Sequence, residues 1–345
     1  MIRVKFFTKD FPRFYRRQLP SGQPVWGQCE YLFDPEEREY DWLVIYDDMP
    51  SYKTGKVSLR KELLACPKQH TLLVTTEPSN IKVYGRAYVD QFGHVLTSQE
   101  PWALRHPHRI YSQAGLRWFY GAGTHHEISY DRLTQMEPRA KTRMISTVCS
   151  TKQQKHTLHH RRYQFVQDLK ALMPELEIFG HGVREMDDKA EALDDYRYHI
   201  AIENHVAPHH WTEKLSDAFL GYTLPFYYGC PNAAEYFPPN SFIPIDIHDV
   251  PGARDIIRQA INNNEYEKRL PDILEARKRV LEQYNLFAVL SGIIESNHQP
   301  DLPAGEPFVM LSRRAARKKY PAKGILDLLQ KAGIQARNRI RNMGR

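Results

Sequence analysis

Paired cysteines, long apolar runs, repeats and low-complexity blocks are all missing from this 345-residue chain. Its four cysteines, Cys29, Cys66, Cys149 and Cys230, stand far apart and form no Cys-x-x-Cys pair. That excludes a zinc ribbon, and a disulfide framework is not expected in a chain of this size; the thiols read as buried and free. No stretch approaches the roughly 20 apolar residues that a bilayer span requires. The opening Met1-Ile2-Arg3-Val4-Lys5 lacks the apolar core of a secretory signal, so the expected location is the cytoplasm. What is present is a chain with 41% hydrophobic residues, long enough to bury two cores.

The net charge of +7 is unevenly placed. Eleven Lys or Arg and one acid, Asp327, fall within Arg313–Arg345, so this segment alone carries +10 and the remainder carries −3. A nucleic-acid-binding protein acting through the basic tail is therefore an alternative reading, but the body supplies neither basic charge nor interleaved aromatic-basic motifs. Within the tail, Ile325, Leu328, Leu329, Ala332 and Ile334 make an apolar stripe beside the cations. That combination suits a helix lying on an anionic membrane surface. The expected partner of the tail is thus the inner face of a membrane, peripherally bound.

Short apolar runs alternate with helical patterns, which predicts an α/β chain with parallel sheets. Strands are expected at Ile2–Phe7, Asp41–Tyr46, Gln69–Thr76 and Arg109–Gln113, with helices at Leu59–Ala65 and Ile81–Gln91. A second series follows: strands at Met144–Cys149, Glu177–Phe179, Tyr198–Ile202, Leu224–Tyr228 and Phe242–Ile245. Helices are expected at His156–Leu172, Trp211–Leu220, Ala253–Asn262, Asn264–Gln283 and Leu286–Ser296. The boundary expected from the polar stretch Tyr130–Lys141 gives domains at 1–140 and 141–300, with 301–345 as a basic amphipathic tail.

The most informative stretch runs from Tyr198 to Phe219. An apolar strand ends in Glu203-Asn204, a loop follows, and a helix opens at Thr212-Glu213-Lys214. Ligands of open α/β sheets bind beyond the carboxyl ends of strands, beside helix N-termini whose free N–H groups favour phosphate. Lys214 in the first helical turn opposes the helix dipole, a placement that an adjacent anion would explain. Glu213 beside it is suited to accept hydrogen bonds from ribose hydroxyls.

Glu203-Asn204, a seven-residue loop and Thr212-Glu213-Lys214-Leu215-x-Asp217-Ala218-Phe219 together resemble the signature of the α-1,3-fucosyltransferases. Phe179-Gly180-His181-Gly182 upstream continues the likeness, as do Leu224–Pro231 and Tyr236–Ile243 downstream. The resemblance covers about Arg143–Asp249. It implies a GT-B fold, two Rossmann-like domains facing across a cleft. It also implies an inverting glycosyltransferase that moves fucose from GDP-fucose to a hydroxyl of a glycan acceptor, with no cofactor or metal required. Carried over, Lys214 and Arg162 would hold the diphosphate, Glu213 the ribose, and Glu203, Asn204 and His210 the rest of the donor pocket. Two positions depart from the family pattern, which often has Ser at His205 and Tyr at His210. These leave another GDP-sugar open as donor. A catalytically inert sugar-binding relative is a further alternative.

An inverting transferase needs a base for the acceptor hydroxyl. Glu77, in Thr75-Thr76-Glu77-Pro78-Ser79-Asn80, resembles the family's Glu-x-x-Asn setting and is the candidate; Asp47 and Asp48, at another strand end, are rivals. Trp102, Trp118, Phe119 and Tyr120 read either as sugar platforms or as core. Sixteen histidines raise the question of a metal. His156 and His160 have helical i, i+4 spacing, but no His-Glu-x-x-His pattern occurs, and none of these is assigned as a ligand.

Overall fold

A computed structural model describes residues 1–52, 57–151, 157–303 and 305–343. The chain forms two compact units. The first comprises Met1–Gly115 and Leu286–Arg337, the second Leu116–Asn285 and Asn338–Arg345. The division differs from the 140/141 and 300/301 boundaries expected from sequence. Residues 119–124 are tied by backbone N–H groups to Asp187, Asp188 and Asp217 of the second unit. The chain after 286 returns to the first unit, where Tyr31 hydrogen-bonds Ser291 at 2.8 Å. Neither tie is visible in local sequence.

The first unit is built on strands β1 (Ile2–Phe7), β2 (Val25–Trp26), β3 (Cys29–Leu32), β4 (Trp42–Tyr46), β6 (Thr71–Val74), β7 (His94–Thr97) and β8 (Arg109–Tyr111), in the order β2-β3-β1-β4-β6-β7-β8. All neighbours are parallel except β2 and β3. Strand β4 is buried throughout, as a central parallel strand covered on both faces must be. Leu43, Ile45, Leu73 and Val95 meet Tyr84, Tyr88 and Met310 in one core.

Two expected helices are not formed as read. Leu59–Ala65 holds strand β5 (Lys61–Leu63), paired antiparallel with β14 (Val309–Leu311), a partner far away in sequence. Alternation explains it: Glu62 turns inward to Lys5 at 2.6 Å while Lys61 and Leu63 face out. Of Ile81–Gln91 only Arg86–Val89 is helical. Lys82 and Tyr84 instead turn their side chains onto Asp47.

The helices of this unit are α1 (Arg13–Arg16), α2 (Arg86–Val89), α8 (Leu286–Asn297), α9 (Arg313–Lys319) and, as far as Arg337, α10 (Pro321–Met343). Helix α10 has two unlike faces. Asp327, Gln330, Ile334 and Arg337, at i, i+3, i+7 and i+10, hold it to the unit. Asp327 pairs with Arg317, Gln330 donates to Ala103 O, Ile334 packs on Val83 and Ala103, and Arg337 lies over Trp102. Ile325, Leu328 and Leu329 lie on the opposite side, each at least 60% exposed. Among the described residues no helix is long and apolar enough to cross a membrane.

The second unit has the sheet β10-β9-β11-β12-β13, entirely parallel: β9 (Arg143–Val148), β10 (Glu177–Phe179), β11 (Tyr196–Ile202), β12 (Leu224–Tyr228) and β13 (Ile243–Pro244). Helices α3 (Tyr130–Gln135), α4 (His159–Leu172), α5 (Glu213–Leu220), α6 (Val250–Asn262) and α7 (Glu265–Glu282) complete it. The strands expected here all form, with ends moved by one or two residues. The core joins Phe165, Val166 and Leu169 of α4, Ile145, Tyr198 and Phe226 of the sheet, and Leu215 and Phe219 of α5. Each unit is thus Rossmann-like in its own right.

Candidate nucleotide-sugar site

At the carboxyl ends of β9, β10 and β11 the second unit encloses a cavity of about 280 Å³. Its lining includes Arg162, Asn204, Glu213 and Lys214, four of the residues read from sequence. Helix α4 supplies Arg162. Its register puts Arg162 one turn before Val166 on the buried stripe, so a cation extends the face that packs on the core. The guanidinium donates from Nη1 to Asn204 Oδ1 at 2.8 Å. Arg162 is 7% exposed, its Nε has no hydrogen-bond partner, and it makes no ion pair among the described residues. A buried guanidinium without a carboxylate is costly unless an anion completes its shell.

Helix α5 supplies Glu213 and Lys214. Thr212 caps it, accepting from Lys214 N, as Thr commonly does at this position. The same hydroxyl donates to Glu203 Oε2 at 2.6 Å, and Thr212 N donates to Glu203 Oε1 at 2.8 Å. Glu203 is fully buried at the end of β11, and burial pushes its carboxyl above the usual range, against the pull of Lys214 at 3.6 Å. Its side chain so fills the turn after β12 that a Cβ on Gly229 would stand 2.3 Å from Glu203 Cγ. Only glycine allows that approach. Glu203 thus lies behind the cavity wall, where it fixes the helix cap and Lys214.

Lys214 Nζ lies 2.9 Å from Glu213 Oε1. Burial works against both charges, but each outweighs it for the other: Glu213 is held well below the carboxylate range, and Lys214 is raised. A third cation joins them. Lys189, from a 3-10 turn at Lys189–Ala192, sits 2.8 Å from Asp217 Oδ2 and 3.7 Å from Glu213 Oε1. Asp217 is buried and accepts from Phe119 N and Tyr120 N through Oδ1. Lys189, Asp217 and His199 line this cavity and had been given no role from sequence. Lys189 lies in a polar stretch without a motif. A buried-looking His within the apolar run Tyr198–Ile202 was the one usable signal for His199. Gly180, at φ 129°, brings the β10 turn against the β9 backbone, where a Cβ would meet Cys149 O at 2.9 Å.

His210 is buried and packs edge-on against His205, with ring centroids 5.5 Å apart, outside the residues that line the cavity. Glu77 belongs to the other unit, exposed just beyond β6, with its backbone oxygen accepting from Gln99 Nε2 at 2.8 Å. The carboxylates of its rivals are occupied. Asp47 accepts from Lys82, Tyr84 and Thr76, and although burial raises its pKa, Lys82 and Tyr84 hold it below the usual value. Asp48 pairs with Lys9 at 2.9 Å and accepts from Met49 N and Arg313 N. Trp118 and Tyr120 are core, while Trp102 and Phe119 are each 37% exposed.

A larger cavity, about 660 Å³, lies at the ends of β12 and β13. Val206, Tyr227, Phe242 and Ile245 make it mainly apolar, with no Lys or Arg in its lining. The smaller cavity is the better phosphate site because it holds the cations. In the first unit His70, His94, His106 and His108 line a third cavity. Among the described residues no group of three or more His, Cys, Asp or Glu is disposed to hold a metal ion. His156 of the expected His156–His160 pair lies outside them.

Over 70 residues the chain is 37% identical to the α-(1,3)-fucosyltransferase FucT of Helicobacter pylori, a match that spans 20% of this chain and 14% of that relative. A crystal structure of an α1,3-fucosyltransferase superposes with a TM-score of 0.45 at 15% identity, covering 82% of this chain and 92% of that one. An α1,3-fucosyltransferase solved with GDP-fucose gives 0.43 at 16%, covering 88% and 92%. Residues 138–267, which contain the whole lining of the charged cavity, match the model of the glycosyltransferase family 10 (fucosyltransferase) C-terminal domain.

Proposed function

We propose that the chain is an inverting glycosyltransferase that moves fucose from GDP-fucose to a hydroxyl of a glycan. The observation that carries this reading is the buried guanidinium of Arg162, which makes no ion pair among the described residues, in a cavity shared with Lys214 and Lys189. A diphosphate supplies the missing anion. At about 280 Å³ the cavity is at the small end of ligand sites, which run to about 1,000 Å³. It holds the diphosphate and its neighbours, and the rest of the donor extends beyond it. Glu213, kept ionised, accepts from the ribose hydroxyls.

In the proposed reaction the acceptor oxygen attacks the anomeric carbon of fucose, and the bond from that carbon to the diphosphate oxygen breaks. Glu77 takes the acceptor proton. GDP leaves with the bonding electrons, and Arg162 and Lys214 offset the charge that develops on it. These cations do what a metal ion would do for a departing diphosphate, so the reading needs none. The exposed apolar face of α10 beside the basic residues of α9 supports a further part of the proposal, that the enzyme docks peripherally on an anionic membrane face.

Incubation with GDP-fucose, other GDP-sugars and UDP-sugars, with products weighed by mass spectrometry, tests the function. Transfer of 6-deoxyhexose from GDP-fucose is the expected result. Transfer from another GDP-sugar alone would replace the donor and keep the site. Transfer from UDP-sugars alone would remove the reading.

A further inference from the structure

His199 is the polar exception in an apolar strand. It is 5% exposed on β11, directly opposite Ser146 of β9. Its Nδ1 lies 2.8 Å from Ser146 Oγ. The Ser146 hydroxyl has one proton and also lies 2.5 Å from Ala192 O. A carbonyl oxygen only accepts, so the serine proton goes to Ala192, and Ser146 receives its second bond on a lone pair. His199 must therefore donate from Nδ1. A neutral imidazole carries one N–H, which leaves Nε2 an acceptor. Burial, helped by the nearby charge of Lys189, pulls the imidazole to about 3, so the neutral form is the one present at pH 7. Nε2 has no hydrogen-bond partner among the described residues, and His199 lines the charged cavity.

We infer that His199 Nε2 is a contact residue of this cavity, receiving a hydrogen bond from an O–H or N–H of the bound nucleotide sugar, and that Ser146 is the positioning residue that fixes the required tautomer. The inference rests on the cavity being the nucleotide-sugar site. An uncharged acceptor suits that place. It takes a ligand proton without adding negative charge beside a diphosphate, as another carboxylate would.

Removing either half of the device tests it. GDP and GDP-fucose are titrated calorimetrically into the wild type, H199F, H199Q and S146A, and ¹⁵N-imidazole spectra, assigned by difference against H199Q, read the tautomer. The wild type shows the Nδ1–H tautomer. H199F, which lacks the acceptor, and S146A, which keeps the ring but frees its tautomer, each weaken binding roughly tenfold, the scale of one hydrogen bond, while H199Q retains part of the affinity. Losses for GDP and GDP-fucose alike locate the donated proton on the nucleotide. A loss for GDP-fucose alone locates it on the sugar. Wild-type affinity in H199F, or an Nε2–H signal in the wild type, overturns the inference and leaves the site reading standing. If the wild type binds neither compound, both fall.

Discussion

Arg162 and Glu77 carry the two ends of the proposed chemistry and call for different readouts. On the proposed reading Lys214 and Arg162 act on the donor, so K214A raises KM for GDP-fucose and weakens GDP binding. On the same reading Glu77 takes the acceptor proton, so E77Q lowers kcat by about 10²–10⁴-fold, the range of general-base catalysis, with GDP affinity unchanged. Steady-state kinetics beside GDP titration separates the two, and normal turnover in E77Q removes Glu77 as base. His199 makes a second residue-scale prediction. Its pKa is about 3 folded and ~6.5 unfolded, so below ~6.5 the unfolded chain binds the extra proton. The stability that its neutral state contributes is fully present above that pH and is lost as pH falls toward 3. Between pH 7 and 5 the loss is about 2 kcal/mol, and H199Q removes it. Urea titrations of both proteins at the two pH values measure the difference; identical slopes against pH contradict it. Arg162, Asn204, Glu213 and Lys214 were legible because a local motif and a helical stripe carry them. Lys189 was not, because it reaches Asp217 only through the folded sheet.

Elements were legible where local pattern determines them. The strand Leu224–Tyr228 and the helix capped by Thr212 are written in consecutive residues, and both form. Strand β5 is not, since its partner β14 lies far along the chain and its inward Glu62 looks like a surface charge until Lys5 is seen beside it. Short β7 was missed for a related reason: His94-Val95-Leu96-Thr97 has too few apolar residues to mark a strand, and only pairing with β6 and β8 defines it. The stripe on α10 was read as one apolar face. In the fold Ile334 belongs to the docked side, while Ile325, Leu328 and Leu329 face out. Sedimentation with vesicles of anionic phospholipid therefore captures the protein at low salt, and L328E/L329E reduces capture at least tenfold, by roughly 1.5–3 kcal/mol lost for each buried side chain. Neutral vesicles bind more weakly, by about 1 kcal/mol for each Lys or Arg near the surface. Equal capture of the variant removes this face as the docking surface.

At the scale of the molecule, two Rossmann-like units were expected and two are present, though each is assembled from segments that sequence order does not keep together. The polar stretch Tyr130–Lys141 put residues 116–140 at the end of the first domain, yet acidic side chains of the second unit hold the backbone of residues 119–124. If the folded chain alone binds a nucleotide sugar, the ligand stabilises it by mass action. GDP-fucose at about 100 times its dissociation constant adds ~2.7 kcal/mol, and a UDP-sugar adds nothing. Thermal unfolding across such a panel reads this directly, and equal shifts for every nucleotide contradict a GDP-selective site. The central claim is narrower: the buried Arg162 guanidinium, without an ion pair among the described residues, is the proposed counterpart of a diphosphate. The measurement that bears on it most directly is a calorimetric titration of GDP into the wild-type protein and R162A, both shown folded by circular dichroism. A wild-type affinity lost by roughly 10²-fold or more in R162A, the scale of a charge-assisted contact, is the predicted result. Equal affinities in the two proteins would contradict it.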